Sequence, residues 1–333
     1  MRDVARLAGV HQSTVSRVLG TPGGPSISAT VKSRIRHAAR ALDYLRNPSA
    51  VALRTGSTRT VMVVVTDTAD MYFSEMIDGI QEVLAAEGYS LVLHSLAHAG
   101  PPSDLTQLLR RQQLDGALLL GFLPKTTDDD ITALAGRGLP LVLIGRSLKR
   151  GVLPSVTAAN LDGGRLAAFH LWSLGHRRIA VMRGPRGWPD IAERVEGFRR
   201  ELAGAGARPE LVRVFSCGSR RMASGYSAMK NLLASWKPTA VFAMNDSTAI
   251  GAIRALREAG LRIPEDVSVV GFDDGELAEF SCPPLTTVHQ PRQQMGREGA
   301  RELVRAMRGE GASKAARIFD VLLVVRGSTC PPR

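Results

Sequence analysis

From Thr60 onwards, short apolar runs alternate with amphipathic helical patterns, and this alternation constrains the fold more than any other feature of the chain. Seven runs are rich in Val, Ile and Leu: TVMVVVTD, YSLVLHSL, DGALLLGF, LPLVLIG, RIAVMRG, TAVFAMND and VSVVGFDD. Helical segments such as FSEMIDGIQEVLAAEG and TAIGAIRALREAG separate them. Continuous apolar runs are typical of strands buried on both faces, and helices between such strands are typical of parallel sheets. We therefore predict an α/β fold with parallel sheets that carry helices on both faces.

The strand and helix units form two sets, at about residues 60–157 and 158–287, which indicates two similar lobes. In open α/β sheets, ligands bind outside the carboxyl ends of the strands. Polar side chains follow several of the expected strands: Asp67, Arg146, Asn245, Asp246, Asp273 and Asp274. The sequence therefore predicts a ligand-binding cleft between the lobes, lined by these groups.

The stretch VARLAGVHQSTVSRVL, residues 4–19, holds two apolar faces at helical spacing, separated by Gly9. Glycine adopts the positive φ that a sharp turn requires, and Ala5 allows two helices to approach closely. These features predict a helix-turn-helix whose second helix presents polar side chains outwards: Gln12, Ser13, Ser16 and Arg17. Such side chains suit base edges and phosphates. An ordinary helical hairpin with a solvated face has the same local pattern and stays open at this point.

A third helix is expected after the loop-forming stretch GTPGGPS, with Ser28 as its N-cap. Its apolar residues recur at helical spacing and would cover the first two helices: Val31, Ile35, Ala38, Ala39 and Leu42. The three helices would form an all-helical head over residues 1–45. The stretch YLRNPSAVALRTGST combines a proline with a polar end. It predicts a hinge or linker over residues 46–59 that forms one short helix.

Positive charge is concentrated in the first 59 residues. The whole chain carries a formal net charge of +12 at pH 7. Ten of its 43 lysines and arginines lie in residues 1–59, but only two of its 31 acidic residues do, so this stretch holds +8 of the total. An acidic partner such as a nucleic acid is therefore expected at the head rather than at the lobes.

Several classes of protein are not favoured. Cys217, Cys282 and Cys330 are far apart and lack metal-ligand spacing, so we expect a reducing compartment and no metal site. No apolar run approaches the roughly 20 residues of a membrane span, and the first residues form a helix pattern rather than an apolar secretion signal. We therefore expect a soluble cytoplasmic protein. The chain has no phosphate-binding or dinucleotide-binding motif, and we expect no cofactor.

Seven segments spread over nearly the whole chain share one combination of motifs: DVARLAGVHQSTVSRVL, NPSAVALRTG, LDGALLLG, LGHRRIAVMRGP, RVEGFRREL, TAVFAMNDSTAIGAIRALREAGLRIPEDVSVVGFDD and PPLTTVHQP. With them the chain closely resembles the LacI/GalR family of bacterial transcription regulators. The block from NDSTAIGA to VGFDD, together with PPLTTV, is the most specific part. The resemblance implies a two-lobed core over residues 60–333, like that of periplasmic binding proteins. Lobe 1 would span about 60–157 and 288–316, and lobe 2 about 158–287 and 317–330.

The resemblance also implies a homodimeric repressor. Its two heads would bind a near-palindromic operator in double-stranded DNA, and a small effector in the cleft would change operator affinity. Gln12, Ser13 and Arg17 match the family's major-groove positions, and Ala50 and Leu53 match its minor-groove positions. A leucine wedged between base steps unstacks them and bends the duplex. The chain has no heptad pattern at its end, so nothing predicts assembly beyond the dimer.

Eight residues match the effector-contact positions of the family: Tyr72, Phe73, Arg146, Trp188, Asp190, Arg194, Asn245 and Asp273. Carboxylates and amides bind vicinal hydroxyl groups, an arginine binds two oxygens at once, and an aromatic face covers an apolar ring surface. These residue types imply a sugar or a sugar-like polyol as the effector. Ordinary packing stays an alternative for Tyr72, Phe73 and Trp188.

The chain departs from the family pattern at several positions. His11 stands where a serine usually caps the recognition helix, and we expect a weaker cap there. Only Met1 precedes the first helical pattern, so the residues that usually cap that helix are expected upstream. Gly145 and Ala159 replace acidic residues that are frequent near the cleft, and Arg220 stands where we align an aromatic residue. These changes predict a less acidic pocket, which leaves a phosphorylated or acidic sugar open beside a neutral one.

Two other functions compete with transcriptional regulation. A sugar-modifying enzyme would need a catalytic motif, and the chain offers only SAMK, residues 227–230, for the pattern S-x-x-K. Its companion motifs are absent, and a solvated helix face explains it better. A soluble sugar-binding protein of transport would explain the two lobes but not the basic head, and it would need a secretion signal. Regulation therefore accounts for more of the chain than either alternative.

Overall fold

The computed structural model describes residues 1–19, 27–44, 52, 56–97, 105–111, 113–123, 126–148, 151–185, 187–311 and 315–333. It divides into two compact units, Met1–Arg59 and Thr60–Arg333. Ala50 and Leu53, the linker residues expected in the minor groove, lie outside the described residues. In the described part of the chain, no helix is long and apolar enough to cross a membrane.

The first unit contains three short helices, α1 (Arg2–Leu7), α2 (Gln12–Val18) and α3 (Ala29–Ala41). Their common core confirms the predicted three-helix head: it consists of Val4, Ala5, Ala8, Val15, Ile35 and Ala38. Ser28 caps α3 as expected, because its hydroxyl accepts a hydrogen bond from the Val31 amide at 3.4 Å. Gly9 forms the turn between α1 and α2 with a φ of +62°, the left-handed conformation that was predicted for it.

Two apolar residues of the head lie at the surface: Leu42, which was expected in the core, is 43% exposed, and Leu7 is 56% exposed. In the six-residue helix α1, Val4 and Ala5 are the buried residues, so Leu7 lies off the buried face. Leu42 follows the last residue of α3, so the helical spacing that placed it on the apolar face no longer applies.

The second unit contains two six-stranded sheets of the same topology, in the orders β11-β5-β4-β3-β1-β2 and β12-β10-β9-β8-β6-β7. The strands are β1 (Thr60–Val65), β2 (Ser90–Ser95), β3 (Gly116–Leu120), β4 (Leu141–Ile144), β5 (Ser155–Ala158), β6 (Ile179–Arg183), β7 (Val212–Ser216), β8 (Ala240–Ala243), β9 (Ser268–Asp273), β10 (Thr286–His289), β11 (Ala316–Phe319) and β12 (Leu322–Val324). The pairings are parallel except for the antiparallel pair β10–β12 at one edge. All seven predicted strands are confirmed. The other five were not predicted: β5, β7, β10 and β11 are shorter or more polar, and β12 lies in the apolar run VLLVV, residues 321–325, which was not assigned to a strand.

Helices cover both faces of each sheet, as predicted. They are α4 (Ser74–Ala86), α5 (Leu105–Arg111), α6 (Asp128–Ala135), α7 (Asn160–Ser173), α8 (Pro189–Gly204), α9 (Met222–Leu233), α10 (Asp246–Glu258), α11 (Glu276–Glu279) and α12 (Arg292–Met307), with short 3-10 helices at Met71–Phe73 and Pro209–Leu211. Along β1, Val63 packs in one apolar cluster with Ile80 of α4. Its neighbour Val64 packs in a second cluster, with Leu109 of α5, on the opposite face. This alternation explains why the strand has no polar residue facing solvent.

The chain crosses between the lobes at slightly different points from those expected. Ala158 pairs with Phe319 in the first sheet, so both residues belong to lobe 1 rather than lobe 2. His289 pairs with Asp273 in the second sheet, so β10 belongs wholly to lobe 2. The sequence placed each crossing within a few residues because a crossing loop carries no periodic signal of its own.

A close helix crossing in lobe 2 fixes the position of Arg194. Helices α7 and α8 meet at Gly164 and Gly197. A Cβ atom on Gly164 would lie 2.0 Å from the Arg194 carbonyl oxygen, and one on Gly197 would lie 1.9 Å from the Leu161 carbonyl oxygen. Only glycine permits this approach, which brings the Arg194 side chain over the first turn of α7.

Candidate functional site

The helix α2 presents the side chains that were predicted to contact DNA. Gln12, Ser13 and Arg17 are exposed, whereas Ser16 is half-buried. His11 caps α2: its ring Nδ1 accepts a hydrogen bond from the Ser13 amide at 3.3 Å and lies 2.8 Å from the Ser13 hydroxyl, while the weaker strength of this cap stays a prediction. A neutral imidazole nitrogen can therefore replace the usual hydroxyl at this helix start.

Basic side chains extend the positive charge of the head onto α3. Lys32, Arg34, Arg36 and Arg40 are all exposed on this helix. None of them lies in the small core that holds the three helices together. These charges are therefore available to a polyanion, and their like sign makes the face favourable for phosphate groups.

The cleft of the second unit lies where the carboxyl ends of the strands meet, as predicted. The 3-10 helix after β1 supplies Tyr72, and the segment after β4 supplies Arg146. Asp273 ends β9, and the start of α8 supplies Asp190 together with Trp188, the residue that precedes this helix. In each lobe the first strand, β1 or β6, lies between the second and the third, so the strand order reverses beside it. In open α/β sheets, ligands bind at this point.

Arg194 is the fully buried anchor of the cleft. Its Nε donates to Asn160 Oδ1 at 2.9 Å, and its Nη1 donates to the Met244 carbonyl at 2.6 Å and to Asp273 Oδ1 at 3.2 Å. The guanidinium carbon lies 3.7 Å from the centre of the Phe272 ring. Charge pairing, hydrogen bonds and a ring face together compensate the cost of burying this cation.

Arg220 reaches into the same cluster from the loop after β7. Its Nε donates to Asp70 Oδ2 at 3.1 Å and its Nη2 donates to Asp273 Oδ2 at 3.4 Å, while Nη1 lies 3.6 Å from Asp190 Oδ2. Burial lowers the pKa of Arg220, but Asp70, Asp273 and Asp190 raise it by more, so this pKa lies above its ordinary value. Three carboxylates surround Arg220, so its charge offsets part of theirs and the pocket is less acidic than those carboxylates alone would make it.

Burial changes the protonation of two other groups in the cleft. It raises the pKa of the Tyr72 phenol, which therefore stays a hydrogen-bond donor at neutral pH. It also raises the pKa of Asp246 to about 8, with the neighbouring charge of Asp273 adding to the effect. Asp246 accepts hydrogen bonds from the Thr287 hydroxyl and the Gly275 amide. Burial and the neighbouring carboxylate thus favour the protonated form of Asp246 in the cleft.

Arg146 lies at the rim of this cluster with part of its guanidinium unoccupied. Its Nη2 pairs with Asp128 Oδ1 at 2.5 Å. Its Nε and Nη1 are buried and have no hydrogen-bond partner within the described residues. Asp190 is close enough to raise the pKa of Arg146, although burial lowers that pKa by more. These two N–H groups are free to donate to oxygen atoms of a ligand.

Two of the predicted cleft residues have other roles. Phe73 is buried in the apolar core of lobe 1 and does not join the polar cluster. Asn245 caps α10, since its Oδ1 accepts from the Thr248 amide and hydroxyl, and its Nδ2 donates to the Arg220 carbonyl at 3.0 Å. It positions the Arg220 loop, and this use of both amide groups was not visible in the sequence.

Several contacts join the two lobes across the cleft. The Trp188 and Phe122 rings lie 5.4 Å apart between centres, which gives Trp188 a partner in lobe 1. Arg221 forms an ion pair with Asp67, and Arg292 joins Glu75 of lobe 1 at 2.5 Å to the Asp274 carbonyl of lobe 2.

The sequence missed four residues of the cleft: Asp70, Phe122, Asn160 and Gln290. Gln290 donates to Asp273 Oδ1 at 2.6 Å, and the contacts of the other three are given above. All four lie just beyond the carboxyl end of a strand. That position is the signal that could have found them: Asn160 and Gln290 follow strands that were not predicted, whereas Asp70 lies a few residues beyond the polar end that was considered for β1, and Phe122 is the last residue of the apolar run predicted for β3.

Two family models match the chain. "Bacterial regulatory proteins, lacI family" matches residues 1–47, and "Periplasmic binding protein-like domain" matches residues 168–329. The HTH-type transcriptional repressor CytR of Escherichia coli is 35% identical over 332 residues, which cover 99% of this chain and 96% of that protein. The chain belongs to the lacI family. It is a DNA-binding transcriptional regulator with a two-lobed core, as the resemblance implied.

Other relatives of this lacI-family regulator carry ligands in their solved structures. The HTH-type transcriptional regulator CelR of Thermobifida fusca is 36% identical, with 98% of this chain and 96% of that protein covered. A transcriptional regulator CelR–cellobiose complex matches with a TM-score of 0.73 and 34% identity, over 98% of both chains. The lac repressor dimer bound to operator and the anti-inducer ONPF matches with a TM-score of 0.87 and 28% identity, again over 98% of both.

Proposed function

We propose that this lacI-family regulator is a homodimeric repressor whose heads bind a near-palindromic operator, and whose cleft binds a sugar or sugar derivative that changes operator affinity. One observation supports the proposal most: a basic helix-turn-helix head shares a chain with a cleft in which Asp190, Arg194 and Asp273 meet beside aromatic rings. Relatives with the same two parts are repressors, and solved structures among them hold cellobiose or ONPF.

In the head, Gln12, Ser13, Ser16 and Arg17 would contact base edges and phosphates in the major groove. Ala50 and Leu53 of the linker, residues 46–59, would contact the minor groove. This division of the chain into head, linker and core is part of the proposal. The exposed polar side chains of α2 support the major-groove contact, because base readout needs hydrogen-bonding groups on the solvent side of the second helix.

In the cleft, ligand oxygens would accept hydrogen bonds from the free N–H groups of Arg146 and from Arg194 Nη2, which lies 3.7 Å from Asp190 Oδ2 but has no hydrogen-bond partner within the described residues. Asp190 and Asp273 would accept hydrogen bonds from ligand hydroxyls, and Tyr72 and Trp188 would cover an apolar ring face. With Arg146 and its partner Asp128 included, the cleft holds four carboxylates, those of Asp70, Asp128, Asp190 and Asp273, against the three guanidinium groups of Arg146, Arg194 and Arg220. A neutral polyol therefore fits this charge balance better than a phosphorylated or acidic sugar.

The proposal includes no catalytic role and no cofactor, and it places the protein in the cytoplasm, where operator DNA is found. An enzyme is the second candidate function, and turnover of a sugar by the protein would favour it. Incubation of the protein with each sugar that stabilises it, followed by product analysis, separates the two functions. A regulator leaves the sugar unchanged.

The function is tested by two measurements on the full-length protein. Footprinting on the DNA upstream of its own gene should give a protected, near-palindromic site, and protection scattered without sequence preference would contradict the proposal. A thermal-shift screen of sugars and sugar phosphates should find a stabilising ligand, because a ligand at 100 times its Kd stabilises a protein by about 2.7 kcal/mol.

Arg17→Ala should reduce base discrimination as well as affinity. An arginine that donates two hydrogen bonds to guanine contributes about 1 to 3 kcal/mol to the preference for that base. Lys32→Ala is the matched control, because a contact to phosphate should weaken binding to all sequences alike. Competition between the operator and a scrambled duplex of the same length measures both effects. If Arg17→Ala lowers the two affinities equally, Arg17 contacts phosphate and its assignment to a base is wrong.

A further inference from the structure

Arg220 occupies the centre of the cleft rather than lining its wall. Its side chain is only 4% exposed. Each of its three nitrogen atoms faces a different carboxylate, those of Asp70, Asp190 and Asp273, at 3.1 to 3.6 Å. Its guanidinium carbon lies 4.7 Å from the centre of the Tyr72 ring and 5.2 Å from that of the Trp188 ring. Carboxylates at the edge and aromatic rings near the face are the environment that a bound guanidinium ligand would require.

These partners come from both lobes. Asp70 and Tyr72 lie in the loop after β1 of lobe 1, whereas Asp190, Trp188 and Asp273 lie in lobe 2. The adjacent Arg221 repeats the bridge at the surface, where it pairs with Asp67 of the same lobe 1 loop. Arg220 thus links the lobes through buried contacts, and Arg221 links them through an exposed one.

The geometry argues against a role for Arg220 in binding an anion. Its Nε and Nη2 donate to Asp70 and Asp273, and its Nη1, which has no hydrogen-bond partner within the described residues, lies 3.6 Å from Asp190 Oδ2, so the guanidinium is directed at carboxylates rather than at an open space. If the Arg220 guanidinium were withdrawn, the carboxylates of Asp70, Asp190 and Asp273 would face each other with only Arg194 to compensate them. Buried like charges of this kind are strongly unfavourable. The three carboxylates therefore require a cationic hydrogen-bond donor between them, and the Arg220 guanidinium is that donor.

We propose that Arg220 is a built-in ligand of the cleft, which holds the two lobes together and competes with an effector for hydrogen bonds to Asp190 and Asp273. The competition with an effector rests on the proposed function, whereas the bridging of the lobes does not. In this account the effector competes with a side chain of the protein itself. The change in operator affinity then depends on the difference in free energy between the contacts that Arg220 makes in the cleft and those that the effector makes there.

Chemical rescue tests the proposal without any natural effector. Arg220→Ala leaves a hole of the shape of its guanidinium group, and methylguanidinium is the probe that fills it. The full-length variant should melt below the parent, by on the order of 5 °C. Methylguanidinium at up to about 20 mM, far below denaturing concentrations, should restore at least about a third of that loss. It should leave the melting temperature of the parent unchanged.

Three controls make the result specific. N-methylurea has the shape of the probe without its charge and should not rescue Arg220→Ala. Sodium chloride at equal ionic strength should not rescue it either. Arg221→Ala removes the neighbouring exposed arginine and should melt close to the parent, with no response to the probe. If Arg220→Ala does not fold, Arg220→Met keeps the side-chain stem and removes only the charge and donors, and it should still melt below the parent.

An operator-binding measurement then separates this proposal from the proposed function. Methylguanidinium should change the affinity of Arg220→Ala for operator, because the bound probe replaces the missing bridge between the lobes of the variant. It should leave the operator affinity of the parent unchanged, because the parent keeps its own bridge. If the parent does not bind operator at all, the proposed function fails while thermal rescue still supports the bridge. The built-in ligand is overturned if Arg220→Met melts with the parent, or if methylguanidinium and N-methylurea act alike on Arg220→Ala.

Discussion

The operator affinity of this lacI-family regulator should fall by roughly a thousandfold or more between about 50 and 200 mM salt, if six or more phosphates are contacted. Two-thirds of the net charge of the chain lies in residues 1–59, +8 of +12. Each phosphate that a lysine or arginine neutralises releases condensed counterions, so added salt opposes binding. Fluorescence anisotropy with a labelled operator at several salt concentrations measures the slope of log affinity against log salt.

Single charge substitutions locate the origin of that slope. Lys32→Gln on α3 should reduce the slope by about one for each phosphate contact that is lost. Arg254→Gln is the matched control, because Arg254 is exposed on α10 of the core, where it pairs with Glu258. It should leave the slope unchanged. A flat salt profile for the parent, or equal effects of the two substitutions, would remove the claim that the head binds by phosphate neutralisation.

Asp273→Ala should lower the free energy of unfolding by about 3 to 5 kcal/mol, the usual cost of removing one partner from a buried ion pair. Asp273 is buried and bonded to Arg194, Arg220 and Gln290. Its loss leaves two buried guanidinium groups with fewer counter-charges. Chemical denaturation of the full-length protein, followed by Trp fluorescence, measures the change in the transition of the core.

Glu196→Ala is the control for this prediction. Glu196 forms an ion pair with Arg200 at 2.7 Å on α8, but both side chains are about half exposed or more. Solvent screens such a pair, and its removal should cost less than about 1 kcal/mol. If the two substitutions cost the same, the charge cluster around Asp273 does not stabilise the fold in the way that its burial implies.

Those parts of the fold that depend on local pattern were predicted from the sequence. The seven apolar runs became strands because a strand buried on both faces needs nothing but apolar residues. Gly9 and Ser28 were placed correctly because a positive φ and a helix cap each have a strong local preference. The edge strands β11 and β12 were missed: β11 is a short strand with no long apolar run, whereas β12 lies in the apolar run VLLVV, residues 321–325, which was not assigned to a strand.

The cleft was predicted less completely, because its contacts join segments that are distant in sequence. Strand ends pointed to Arg146 and Asp273, and the resemblance added Asp190 and Arg194. No local pattern could show that Asp70 lies within 3.1 Å of a residue 150 positions away. The same limit explains Arg220, which reads as an unusual substitution in the sequence but lies among three carboxylates in the folded chain.

The coupling between cleft and operator is the central claim, and one measurement tests it most directly. The sugar that gives the largest thermal shift is added to a complex of labelled operator with the parent, and to one with Asp273→Asn, which keeps the size of the side chain. Operator affinity of the parent should change by about 5-fold to 150-fold, the usual range of allosteric coupling. Asp273→Asn should bind operator like the sugar-free parent and should need at least about ten times more sugar to respond, because a lost charge-assisted hydrogen bond costs about 1.5 to 3 kcal/mol. A full response of Asp273→Asn at the parent's sugar concentration, or no response of the parent at saturation, would contradict the account.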